Sequence, residues 1–167
     1  MISGLSRQDS ISIGEIYFKV WTHTEDQDLL KSIEEDCIQN FMYHCILAKK
    51  QSRIFEPLLN ILSPFHAAKN KRDVQKLVQK LWEPLLWRYL KVANGEVRCN
   101  ATKILCEVFP LENPDEELEN RAACQEQQLK IFQDLLQDEV RGIYEKLSVT
   151  EKVQGVFYVR STPELVK

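Results

Sequence analysis

The sequence predicts an all-α fold: an α-solenoid fragment of two to three helical hairpins, with an irregular C-terminal tail. Three observations carry this prediction. First, from Val74 to Leu90 the apolar residues Val74, Leu77, Val78, Leu81, Trp82, Leu85, Leu86, Tyr89 and Leu90 step by three and four, the spacing of one helical face. Second, Ala93-Asn94-Gly95 turns the chain into another such run, Val97, Ala101, Ile104, Leu105 and Val108. Two antiparallel helices with one apolar face each cannot bury both sides alone, so the hairpin calls for neighbours stacked on it. Third, only five Gly and six Pro in 167 residues argue against a loop-rich or all-β architecture.

In chain order, residues 1–9 read as a disordered start and residues 10–140 as one helical domain. Ser10–Trp21 is a helix with Ile13, Ile16, Tyr17, Val20 and Trp21 apolar, and Ser12 and Glu15 have capping-box spacing. After the polar turn Thr22–Asp28, a long helix to about Leu47 places Leu29, Leu30, Ile33, Cys37, Ile38, Phe41, Met42, Cys45 and Ile46 inward. A basic linker, Lys49–Arg53, precedes the helix Ile54–Phe65. Pro57 is tolerated in its first turn, and Pro64 ends or bends it. Ala67–Asp73 is a second basic turn. In the helix that follows, Pro84 lacks an N–H and crowds the preceding turn, which predicts a kink or restart near Trp82–Glu83. Gly95 suits a positive φ, Asn94 suits a helix cap, and Phe109-Pro110 ends the second helix of the hairpin. An acidic loop, Leu111–Glu119, leads to a helix over Asn120–Leu136 that buries Leu129, Phe132, Leu135 and Leu136. Residues 141–167 form a divergent tail, whose Val153–Val159 favours strand or irregular structure.

Bulk properties narrow the function. Hydrophobic residues make up 44% and charged residues 28%, ordinary for a folded domain. No apolar run approaches the roughly 20 residues of a membrane span, and MISGLSRQDS lacks the apolar centre of a secretory signal. Five cysteines, an odd number mostly within helical patterns, read as reduced intracellular thiols. Cys37, His44 and Cys45 fit no common zinc spacing, and Cys99 and Cys106 share one helix face as core residues. His23, His44 and His66 stand near no nucleophile motif, and there is no Gly-rich phosphate loop. The expectation is a non-enzyme with no metal and no cofactor.

Charge is distributed in blocks: net −5 over residues 1–48, +8 over 49–103, −8 over 104–140 and +2 over 141–167. Within the basic block, Lys49, Lys50, Arg53, Lys69, Lys71, Arg72, Lys76 and Lys80 lie in turns and on one helix. If those turns share one edge, they form a positive stripe suited to phosphate backbone. The alternative is a solvated lysine-rich edge. Trp21, Trp82 and Trp87 read as core packing.

The blocks Ile16-Tyr17-Phe18 with Trp21, Asp36-Cys37-Ile38-Gln39 with Phe41-Met42, and Pro84-Leu85-Leu86-Trp87-Arg88 carry a resemblance. So do Glu96-Val97-Arg98 with Asn100-Ala101, and Glu107, Phe109-Pro110 with Asn113-Pro114. In this order and spacing they resemble the HEAT-repeat G-type non-SMC regulatory subunits of condensin II, over roughly Ile13 to Asp138. The resemblance implies a stack of HEAT-like hairpins. Asn94, Gly95, Val97 and Arg98 would form a structural repeat junction, with Arg98 pairing with an acid of a neighbouring repeat. It further implies a non-catalytic subunit that binds the kleisin and helps hold duplex DNA. Its complex would include the SMC ATPase subunits and another HEAT subunit, and would act in mitotic chromosome condensation and segregation, in the nucleus and on chromosomes. The likeness fades where Glu139-Val140-Arg141 arrives early, and family members are far longer, so the chain reads as a fragment, a splice form or a mis-joined gene model. A cytosolic HEAT or armadillo-type peptide-binding adaptor is the alternative, and a poorly folding truncated product a third.

Overall fold

Ser6 starts the first long helix. Its Oγ accepts from the Asp9 amide at 3.1 Å and donates to the Asp9 carboxylate at 2.6 Å, which satisfies a backbone donor that the first helical turn leaves open. In the computed structural model, which describes residues 2–137, a 3-10 turn (Ile2–Gly4) therefore leads directly into α1 (Arg7–His23). The helix begins inside the stretch expected to lack structure, and its cap is Ser6 rather than Ser12 with Glu15.

Which face of α1 turns inward is set by Gly14. A Cβ built there would lie 2.2 Å from the Ile61 carbonyl oxygen, so only glycine lets the two backbones cross this closely. Tyr17, Phe18 and Trp21 follow it into the core, with edge-on contacts from Tyr17 to Phe41 at 5.2 Å and from Phe18 to Phe65 at 5.1 Å. Ile16 and Val20, expected among the apolar set, sit on the opposite side and are 61% and 42% exposed.

The single long helix expected up to Leu47 is three joined segments: α2 (Gln27–Ser32), a π-helical stretch (Ile33–Ile38) and α3 (Gln39–Ile46). Helical backbone angles persist across both junctions, so the rod is continuous. The wider π turn changes the phase of the apolar stripe. Ile33, Ile38, Met42, Cys45 and Ile46 are buried, whereas Leu29, expected inward, is 48% exposed.

After a 3-10 turn (Lys50–Ser52), α4 (Phe55–Ala67) runs through Pro64, and α5 (Arg72–Tyr89) runs through Pro84. Neither helix ends at its proline and α5 does not restart. Pro84 is on the exposed side, while Leu81, Trp82 and Leu86 keep the other side packed, so tertiary burial outweighs the missing hydrogen bond. The segment after α5 leads to α6 (Gly95–Val108). Asn94 Oδ1 accepts from the amides of Glu96 (3.0 Å) and Val97 (3.4 Å). Gly95 does not take a positive φ. The left-handed residue among those described is Arg53, at φ 53°, ahead of α4. Phe109-Pro110 is a cis peptide, and α7 (Leu118–Leu136) begins two residues before the expected Asn120.

The described residues contain no strand. α1 packs on α4, α4 on α3, and α3 on both α5 and α6, which also pack on each other. α6 is the most enclosed helix, with Val97, Ala101, Ile104, Leu105 and Val108 buried together with Asn100 and Thr102. α7 joins through Phe132, whose ring meets Phe109 at 5.3 Å. On α7, Phe132 and Leu135 are buried, and Leu129 and Leu136 are only partly covered. The tail expected from residue 141, with Val153–Val159, lies outside the described residues.

Candidate functional site

The eight candidate phosphate-binding cations would form one stripe if the turns that carry them shared an edge. Antiparallel packing divides them. Lys49, Lys50 and Arg53 precede α4, whereas Lys69, Lys71 and Arg72 follow it, so the length of its 13 residues, about 20 Å, separates the two groups. The first group sits beside the start of α6, where the Lys50 amide donates to the Glu96 carboxylate. The second sits beside the end of α6, where Lys69 Nζ donates to the carbonyls of Glu107 (2.6 Å) and Phe109 (2.7 Å).

The two groups also differ in what engages them. Lys49, Lys50 and Arg53 are exposed, and no side-chain ion pair involves them among the described residues. At the other end, Asp115 Oδ1 accepts from Arg72 Nη2 at 2.5 Å and Nε at 3.1 Å, and its Oδ2 pairs with Lys76 Nζ at 2.5 Å. Hydrogen bonds from Lys76 and Arg72 hold the Asp115 carboxyl below the ordinary carboxylate range. Lys71 Nζ stands 5.8 Å from the Phe18 ring centroid. Lys80 pairs with the buried Glu34 at 2.8 Å, and Glu34 also accepts from Trp21 Nε1 at 3.0 Å.

Of the expected junction residues, Asn94 precedes α6, and Gly95, Val97 and Arg98 lie in its first turn. Arg98 Nη1 donates to the carbonyls of Val92 and Ala93, both at 2.9 Å, folding the guanidinium back over the end of α5. Asn94 caps α6, and Val97 is buried.

Four residues that organise this region carry weak sequence signals. Asn100 Nδ2 donates to the Ile46 and Ala48 carbonyls at 3.1 and 2.9 Å, closing the open end of α3 against α6. Gln128, 1% exposed, accepts from the Leu111 amide at 2.9 Å and donates to the Leu111 carbonyl. Glu112, 6% exposed, takes hydrogen bonds from Gln75 (3.0 Å), Gln125 (2.8 Å) and Arg121. Burial raises the Glu112 carboxyl, but these bonds and the Arg121 charge prevail and hold it below its ordinary value. Glu34 is the fourth. The available signal is a polar residue at a core-facing step: Asn100 lies between Val97 and Ile104, and Gln128 one turn before Phe132.

His66 and Cys45 serve packing, whereas His23 and His44 are exposed. His66 is buried and accepts from Trp82 Nε1 at 3.1 Å. Burial, and to a lesser degree the Lys69 charge, push its imidazole down to about 3. Cys45 donates to the Phe55 carbonyl at 3.6 Å, and burial pushes its thiol up. A shallow cleft of about 220 Å³ lies between the ends of α5 and α7, lined by Trp87, Leu90, Lys91, Ile131, Asp134 and Leu135. No described helix is long and apolar enough to cross a membrane.

Comparison with known proteins supplies what geometry alone does not. The family described as condensin II non structural maintenance of chromosomes subunit matches residues 1–113. Condensin-2 complex subunit G2 of Mus musculus is 38% identical over 114 residues, 68% of this chain and 10% of the relative. The Homo sapiens subunit is 38% identical over 115 residues, with the same coverage. The Danio rerio subunit is 35% identical over 129 residues, 77% of this chain and 11% of the relative. The chain thus spans about a tenth of the length of the relatives it matches, and no solved structure matches it. Since the match covers the helices from α1 to α6 and the turns between them, the chain belongs to the condensin II non structural maintenance of chromosomes subunit family.

Proposed function

We propose that this chain is a non-catalytic scaffold segment of condensin II. Its hairpins stack as HEAT-like units of an α-solenoid, and it takes part in mitotic chromosome condensation and segregation on nuclear chromosomes. The observation that carries this reading is the family match over residues 1–113, which includes the α5–α6 junction and all eight basic candidates. In the proposal the chain docks on the kleisin, and through the complex meets the SMC ATPase subunits and the other HEAT subunit. Phosphate contact is sequence-independent. It falls first to Lys49, Lys50 and Arg53, the exposed cations at the α6-start end, and then to Lys71 and the Lys69, Arg72, Lys76 and Lys80 group at the other end.

The test is recovery of this tagged chain from nuclear extract with its bound proteins identified by mass spectrometry. Recovery of the condensin II kleisin and SMC subunits is expected. Capture of a cytosolic peptide-bearing partner without them would sink the reading and favour an adaptor.

A further inference from the structure

The contact between the acidic loop and α5 is poorly explained as a stabilising device. The side chains of Arg72, Lys76 and Asp115 are 70%, 43% and 41% exposed. Ion pairs this open to water contribute little to folding. Yet the loop that presents Asp115 is held with care. Its root is fixed by Gln128 on Leu111 and by Gln75, Arg121 and Gln125 on Glu112. Its tip is shaped by Asn113, whose Oδ1 accepts from the Asp115 amide at 3.0 Å. Glu116, Glu117 and Glu119 add exposed negative charge along the same segment. One carboxylate thus bridges a guanidinium and an ammonium, the donor arrangement that would otherwise grip a phosphate oxygen.

We propose that this loop is a built-in competitor for phosphate: Asp115 occupies Arg72 and Lys76, so this end of the molecule engages duplex DNA only when the loop is displaced, while Lys49, Lys50 and Arg53 stay available. The inference rests on the DNA-contact part of the proposed function. It predicts one constitutive and one masked cationic surface, about 20 Å apart along α4. Displacement exchanges one anion for another at fixed cations and breaks no covalent bond. The polyanion competes better as salt falls, because its counterions are released on binding.

The experiment is fluorescence anisotropy of the full chain on a duplex of about 30 base pairs, titrated from about 50 to 200 mM salt. Asp115→Asn removes the charge but keeps the shape. It is expected to bind roughly tenfold tighter at the lowest salt and to steepen the salt slope by about two, one unit per freed cation. Adding Arg72→Gln and Lys76→Gln to that variant should return both affinity and slope to the starting values. A gain that persists in this triple variant overturns the proposal, because the released cations do not carry it. If Asp115→Asn changes nothing while Lys49→Gln, Lys50→Gln and Arg53→Gln together abolish binding, the mask is refuted and the DNA reading stands. Absence of binding by every variant overturns both.

Discussion

At the scale of single residues, two buried positions make sharp predictions. Gly14 meets the Ile61 carbonyl where a Cβ has no room. In an exposed helix Gly14→Ala would gain about 1 kcal/mol of helix propensity. Here overpacking of the α1–α4 crossing should prevail, with a net loss of about 1–3 kcal/mol in urea denaturation of the full chain. A more stable variant would contradict the close approach. His66 has its imidazole near 3 in the folded chain against 6.5 in the unfolded one. The unfolded state therefore takes up a proton first as pH falls below 6.5, and folding stability drops with it. Between pH 7 and pH 5 the loss should reach about 2 kcal/mol, and it should be absent in a His66→Gln chain that retains the Trp82 hydrogen bond. Equal pH dependence of the two chains would remove His66 as the cause. The burial of His66 is not readable locally, because Pro64 and the basic turn after it suggest a helix end there. Packing of α4 against other helices encloses it, with Trp82 of α5 in direct contact.

At the scale of elements, the π-helical stretch and the two prolines show why periodicity misleads. Stepping by three and four places Leu29 inward, but the extra residue per turn at Ile33–Ile38 shifts the phase and brings Glu34 into the protein instead. Pro84 and Pro64 predict breaks from local sterics, yet both helices are held by burial of their own side chains, Leu81, Trp82 and Leu86 on α5 and Phe65 on α4, against the rest of the core. The cap at Asn94 is legible because its side chain acts on amides two and three residues away. Asn94→Ala should cost about 1 kcal/mol in thermal or denaturant unfolding. α7 is expected to be the least stable of the long helices, since it packs only lightly on the other helices and leans on Phe109 and Leu111 of the preceding loop. Amide hydrogen exchange should show α7 opening before α3 and α6. Gln128→Ala, which strips two hydrogen bonds from the buried Leu111 backbone, should speed exchange in α7 by at least about tenfold while leaving α3 unchanged. Uniform exchange across all helices would show a single cooperative unit instead.

At the scale of the whole molecule, charge blocks in the chain become charge placement in space. The basic block would form one surface if the turns that carry it shared an edge. An antiparallel connection puts its two halves at opposite ends of α4, and the following acidic block folds back on one half. In duplex-DNA titrations, Lys49→Gln, Lys50→Gln and Arg53→Gln together should therefore lower the salt slope by about two to three. Arg72→Gln with Lys76→Gln in the otherwise unchanged chain should move it by less than about one. The reverse order of effects would assign the contact to the other end. Spacing and residue identity along the chain suffice for the helical class, the α5–α6 hairpin with its Asn94 cap, the separation of charge into blocks and the family. Packing between helices sets the inward face of α1, the continuity of α4 and α5 through their prolines, the buried roles of Glu34, Asn100, Glu112 and Gln128, and the exposure of Lys49, Lys50 and Arg53. Each of these depends on what another helix, distant in sequence, places within a few ångströms, and burial against that neighbour is worth more than the local preference it overrides.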